Sequence, residues 1–241
     1  SIGSQDGVVQ TPEKPTIVKT RIIAHSQQVV RVDREKAGAF SQSVEDDLIE
    51  SLTAKLVGVD AVIMSDYAKG VICPRIVNLV SAKCSELNIP LIIDPKNANF
   101  GIYGKSTLVK PNQKEAEQAS GVLIQSEESL LECARKLFSL WSAKYILITM
   151  GAKGMALAQR DENGDVAVRT IPTRAKEVFD VSGAGDTVAA TIALGIAAKF
   201  DIMESVQLAN IAAGLVVSEV GTVPITKELL EREIRTIDNI K

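Results

Sequence analysis

One histidine and three cysteines are all the imidazole and thiol groups that 241 residues offer. No Cys-x-x-Cys occurs beside His25, so a structural zinc site lacks its ligands. A Ser-His-Asp triad would have to use His25, which sits in a β-like run. Cys73, Cys84 and Cys133 are odd in number, widely spaced and within or beside helical patterns, which points to reduced thiols in a cytoplasmic protein rather than a disulfide framework. Positive charge is also short. With 27 Lys and Arg against 30 Asp and Glu, the net charge of -3 supplies no basic stripe for nucleic acid. No apolar run reaches the ~18 residues that would span a bilayer. The opening "SIGSQDGVVQTPEKP" is polar and lacks the apolar centre of a signal peptide.

What is present is an ordinary globular composition, 46% hydrophobic and 24% charged, long enough for one large α/β domain or two small ones. Neither a linker, an internal repeat nor a low-complexity tract interrupts it, so residues 1–241 are expected to form a single domain. "TIVKTRIIAHSQQVVRVD" (Thr16–Asp33) alternates apolar with polar and is rich in β-branched residues, reading as two half-buried strands, a flap at about 16–35. From Val44 the rhythm changes to helix ("VEDDLIESLTAKL"), short apolar strand ("DAVIMSD"), helix ("PRIVNLVSAKCSELN") and strand ("IPLIIDP"). It continues through "STLVKPN", helices near Glu115–Ser120 and over Glu127–Leu140, and "KYILITMG". "GMALAQRDENGDVAVRTIP" reads as a hairpin turning at Asn163-Gly164. Helices over about Asp186–Lys199, Met203–Val220 and from Lys227 close the chain. Such alternation predicts an α/β fold, a mainly parallel sheet with helices on both faces.

Parallel α/β sheets bind ligands at the carboxyl ends of their strands. Four successive strand ends carry polar residues here: Asp66 and Lys69, Asp94 and Lys96, Asn112 and Glu115, and Thr149, Gly151 and Gly154. All belong to one edge, and together they point to a single site.

"DVSGAGDT" (Asp180–Thr187) bears three readings. In the first, the glycines make a tight start to a helix and Asp186 complements its dipole. In the second, Gly183 and Gly185 belong to a dinucleotide fingerprint with Asp201 about 20 residues on; but Val188 holds the third glycine position and no strand follows the helix. A Walker A loop is excluded, since G-x-x-x-x-G-K-[ST] does not occur. In the third, the site transfers a phosphoryl group. The backbone N–H groups of Ala184, Gly185 and Asp186 hold the charge on the moving oxygens, and the Asp186 carboxylate accepts the proton of the attacking hydroxyl.

"DVSGAGDT" resembles the second signature of the PfkB, or ribokinase-like, carbohydrate kinases. "NQKE" (Asn112, Glu115) resembles that family's Asn-x-x-Glu, which organises magnesium and the phosphates, largely through water. "TMGAKG" (Thr149, Gly151, Gly154) resembles the stretch lining the ATP site, and "ANIAAG" (Asn210) the helix closing over the adenine. The motifs stand in family order across nearly all of Thr16–Val223. The resemblance implies a ribokinase-like fold, ATP and Mg2+ as cofactors, and Asp186 as catalytic base beside Gly183, Ala184 and Gly185. Within the family, "KTRIIAHSQQVVRVD", "SDYAKG", "IDPK" and "VFDVSGAGDTV" look most like the kinase module of ADP-heptose synthesis. That module phosphorylates O1 of D-glycero-β-D-manno-heptose 7-phosphate for lipopolysaccharide cores. A phosphorylated sugar needs a cation; Lys69 and Lys96 stand on the expected edge with Asp66 and Asp94, and Arg21 and Arg31 on the flap are rival phosphate ligands. The flap strands of such kinases often pair across a homodimer.

Family members carry further chain ahead of the flap, with a glycine pair and an acidic residue that grip the sugar. This chain starts at Ser1, just before the flap, so a domain truncated at its N-terminus is expected, with part of the sugar site absent. The nucleotidyltransferase half fused to some relatives is not here, because its His-x-Gly-His needs two histidines. Other readings stay open: a PfkB kinase for ribose, fructose or a nucleoside, a non-catalytic nucleotide-binding remnant, and a dehydrogenase.

Overall fold

The computed structural model describes residues 6–24, 27–36, 38–175, 180–219, 221 and 223–238. His25, the one candidate for a triad, lies outside these, as does Val220 at the expected end of a helix. A six-stranded sheet is built from β3 (Val62–Ser65), β4 (Leu91–Asp94), β5 (Ser106–Val109), β6 (Ala143–Thr149), β7 (Met155–Arg160) and β8 (Val166–Ile171), lying side by side in chain order. The β3–β6 pairings are parallel; β7 and β8 extend the sheet as an antiparallel hairpin. That hairpin does not turn on Asn163-Gly164 alone. Its loop spans the residues between Arg160 and Val166, and the Asp161 carboxylate accepts from the N–H groups of Asn163 and Asp165, both at 2.9 Å. An Asp able to form its own Asx turn has overridden the two-residue alternative.

Helices cover both faces because successive strand residues point to opposite sides. On one side Ile93, Val109, Ile146 and Ile148 pack on α2 (Pro74–Leu87), α3 (Gln113–Ser120) and α4 (Glu127–Leu140). On the other, Ile92, Leu108 and Leu147 meet α5 (Ala184–Ala197) and α6 (Ile202–Val217). Ile92, Leu108 and Leu147 are wholly buried, each worth about 1.5–3 kcal/mol of hydrophobic transfer. α2 shows why the sequence folds so locally: Pro74 starts it where no N–H is needed, Ile76, Val77, Val80 and Cys84 form its buried stripe, and left-handed Asn88 ends it. Cys84 and Cys133 are core residues, and the three cysteines are free thiols. α1 (Gln42–Lys55) packs against α2, and α7 (Lys227–Asp238) against α6. None of the helices is long and apolar enough to cross a membrane among the described residues.

The flap is a separate antiparallel ribbon of β1 (Val18–Ala24) and β2 (Gln27–Arg34). Thr20 faces Val32 and Ile22 faces Val30, so Ile22, Val30 and Val32 share one side of it. Lys19, bonded to Asp33 at 3.0 Å, and Arg31, bonded to Asp33 at 2.8 Å, occupy the other. The ribbon is tied to the body by Lys69, whose ammonium lies 2.6 Å from Glu35.

Candidate active site

The parallel register places the chemistry. Ser65 pairs with Asp94, the Asp66 N–H donates to the Asp94 carbonyl, and the Lys110 N–H donates to the Ile93 carbonyl. Beyond β6, the Thr149 N–H donates to the Pro111 carbonyl, and Asn112 bridges to Thr149. The carboxyl ends of four strands therefore form one continuous edge, as the strand-end residues led us to expect.

Over this edge stands the start of α5. Asp180 turns the chain by accepting from the Ser182 N–H at 2.8 Å, which holds its carboxyl below the usual range. Gly183 follows at φ 80°, ψ -6°, a left-handed conformation that favours glycine. Ala184, Gly185 and Asp186 are then the first three helical residues, so Gly183–Asp186 opens a helix as expected. The Ala184 N–H turns back to the Val181 carbonyl at 3.3 Å, whereas those of Gly185 and Asp186 find no acceptor among the described residues. The anion cradle is thus narrower by one donor than the three N–H groups expected from sequence. Exposed Asp186 receives a 3.0 Å hydrogen bond from the Tyr67 hydroxyl at the end of β3.

Asn112 and Glu115 are tied together by local chemistry. The Asn112 side chain accepts from the Glu115 N–H at 2.9 Å, while the Glu115 carboxylate accepts from the Asn112 N–H at 3.0 Å. This reciprocal capping box starts α3. The other Glu115 oxygen meets the Lys96 ammonium at 2.7 Å, and that hydrogen bond raises the lysine's pKa despite some burial. Asp94 meets the Lys110 ammonium at 3.0 Å. Burial pushes the Asp94 carboxyl up against the pull of Lys110, and the charges of Glu115 and Asp186 add to the rise. Asp66, expected among the substrate residues, is 5% exposed, and its carboxylate accepts from the Ala68 N–H, the Asn99 amide and the Tyr103 hydroxyl, each at 2.7 Å. Tyr103 in turn accepts from the Lys96 N–H at 2.7 Å. Through Tyr103, Asp66 also holds the loop that carries Lys96.

Of the residues expected at the nucleotide, Gly154 and Asn210 both border the exit of β8. A Cβ on Gly154, at φ 88°, would lie 2.1 Å from the Ile171 carbonyl, so β7 starts there only with glycine. The Asn210 amide donates to the Pro172 carbonyl at 2.7 Å, and Gly214 closes on Arg174 and Ala175. The Thr149–Gly154 turn and the Asn210–Gly214 face of α6 therefore border the same segment, residues 171–175. Gly151, also at positive φ, opens the short 3-10 turn between β6 and β7.

Two residues escaped the sequence reading. Lys110 looks like an ordinary exposed cation in "LVKPN" but is only 3% exposed; its place between a buried apolar run and a proline was the available signal. Tyr67 meets Asp186 across 119 residues of chain, a pairing that no local pattern encodes. No cluster of three or more metal-binding side chains occurs among the described residues.

The model of the pfkB family carbohydrate kinases matches residues 5–228. The chain belongs to this family. Among relatives of the pfkB chain is the bifunctional protein HldE of Trichlorobacter lovleyi, 43% identical over 219 residues that cover 91% of this chain and 44% of that protein. The HldE of Pelobacter propionicus is 41% identical over 217 residues, covering 90% and 44%. The chain thus spans about half the length of the relatives it matches. A ribokinase of Arabidopsis thaliana, solved with ribose and ATP, superposes with a TM-score of 0.66 over 92% of this chain and 70% of its own, at 19% identity. The fold is ribokinase-like, and family membership places the chain among phosphotransferases that act on an alcohol group of a sugar.

Proposed function

We propose that the chain is one kinase domain that transfers the γ-phosphoryl group of ATP to O1 of D-glycero-β-D-manno-heptose 7-phosphate. Its product is the 1,7-bisphosphate, made in the cytoplasm for ADP-heptose and the lipopolysaccharide core. The observation that carries this reading is Asp186 in the first turn of α5, beside two unoccupied N–H groups and above the joined strand ends. The HldE relatives support the heptose as acceptor.

In the reaction, a free Asp186 oxygen takes the O1 proton while Tyr67 holds the other oxygen in place. O1 then bonds to the γ-phosphorus as the bond from phosphorus to the β-phosphate oxygen breaks, releasing ADP. The N–H groups of Gly185 and Asp186 hold the charge on the transferred oxygens. ATP lies between the Thr149–Gly154 turn and the Asn210 face of α6, with its phosphates toward Gly183–Gly185. Glu115, beside Asn112, would hold a magnesium ion largely through its waters, in competition with the Lys96 ammonium that now meets one of its oxygens. When bound, the ion neutralises phosphate charge.

Lys69 and Lys96 are the cations for the 7-phosphate, with Asp94 beside them. Both lysines already pair with carboxylates, Glu35 and Glu115, which a dianion would have to displace. Of the rivals on the flap, Arg31 is engaged by Asp33. The apolar side of the ribbon supports a homodimer formed flap to flap. The test is ADP release with heptose 7-phosphate against a panel of ribose, fructose, fructose 6-phosphate and nucleosides. Faster turnover of any panel member than of the heptose would replace the substrate assignment.

A further inference from the structure

Lys110 is a buried charge that the reaction above does not use. It is 3% exposed, although lysine is seldom buried so fully. Its ammonium carries three donors, yet among the described residues its one partner is the Asp94 carboxylate at 3.0 Å. Stability does not explain the pair, because desolvation offsets much of the attraction of a buried ion pair, and apolar residues of similar volume often serve as well.

Gly185 supplies a second, independent observation. Its φ is not positive, so its backbone does not call for glycine, and alanine would favour the helix by about 1 kcal/mol. Among the described residues beyond its own helix turn, a Cβ on Gly185 would have one neighbour within 4 Å, the Lys110 ammonium nitrogen at 3.4 Å. The bare Gly185 therefore puts no side chain between the Lys110 ammonium and the helix start.

We propose that Lys110 is a catalytic residue of the phosphoryl transfer, its ammonium reaching past Gly185 to the oxygens of the moving group. This rests on the kinase reading. Charge that gathers on those oxygens would then meet a fixed cation from below and the N–H groups of Gly185 and Asp186 from the side, in a site that need not reorganise. No covalent change occurs at the lysine.

The experiment uses the full chain with Lys110→Met, Asp94→Asn and the double variant. Lys110→Met is expected to lower kcat about 10²-fold, the effect of losing one preorganised donor, with the KM for ATP little changed. Because Lys110→Met alone strands Asp94, the deciding comparison is the double variant against Asp94→Asn. The same further loss of kcat is expected there; equal rates would make Lys110 a mere counter-ion and overturn the proposal. A second measurement needs no turnover: calorimetry with ADP, then with ADP and aluminium fluoride as a mimic of the transferring group. Wild type should bind more tightly when the fluoride is present, and the double variant should lose that gain relative to Asp94→Asn while keeping ADP affinity. A gain that survives the loss of Lys110 overturns this inference alone. A wild type with neither turnover nor gain overturns the kinase reading, and this inference with it.

Discussion

The flap and the central sheet are built from the same residue types to opposite ends. In the sheet, Ile92, Leu108 and Leu147 are fully buried; in the flap, Val18, Ile22, Val30 and Val32 remain 44–55% exposed. The ribbon has one face to hide and nothing among the described residues to hide it against, while a sheet between two helical layers hides both. Preorganised chemistry therefore belongs to the sheet edge, and adaptable contact to the flap.

The largest effect is expected at Asp186. Asp186→Asn keeps size and helix start, so ATP affinity and self-association should hold while kcat with heptose 7-phosphate falls about 10²–10⁴-fold. Calorimetry with ATP beside the turnover assay checks this. A rate within about threefold of wild type, far short of the usual cost of losing a general base, would reduce Asp186 to a helix-end charge. Next is the packing contrast. Leu147→Ala should destabilise the body by about 2–5 kcal/mol, as core truncations do. Ile22→Ala should change urea stability by less than about 1 kcal/mol in the dissociated protein, because exposed positions contribute little. If the two losses are alike, the flap is covered already.

Glu115→Gln should weaken magnesium activation about tenfold, the scale of a disturbed outer-shell contact, and affect the sugar KM less. α3 should survive, since glutamine also closes a capping box. Equal loss of both parameters would make Glu115 purely structural. The smallest effects are in pH, and they divide between the regions. Glu35 is held below its usual 4.5, first by the Lys69 hydrogen bond, so the flap tether is intact above that value and is lost as pH falls through the lowered one. Burial first, and then the Asp66 contact, raise the Tyr103 hydroxyl well above 10.0. Its unfolded form ionises first, so the body is fully stabilised below about that pH and loses stability as pH rises beyond it. Limited proteolysis of the flap should quicken in acid, and Tyr103→Phe should flatten the alkaline fall in melting temperature. An acid release unchanged by Glu35→Gln would dissociate the tether from that carboxylate.

Much of this division was legible in the sequence. Runs such as "IPLIIDP" are apolar on both faces and so announce parallel strands, and the glycines before Asp186 announce a helix start. What stayed hidden was which polar groups the fold buries. Asp66 reads as a ligand-facing strand end and Lys110 as an ordinary exposed cation, because burial depends on partners distant in the chain, Tyr103 in one case and Asp94 in the other. Asn112-x-x-Glu115 also fits a capping box, which the sequence alone could have revealed.

That capping box bears on how descendants of such a chain would age. A copy released from catalysis would still need Asn112 and Glu115 to begin α3, so purifying selection would preserve both long after the chemistry had gone. Gly185 has no such second employment: its backbone is ordinary, and alanine would even suit the helix better. Pseudoenzymes of this lineage should therefore betray themselves first at Gly185, while their Asn-x-x-Glu still looks intact.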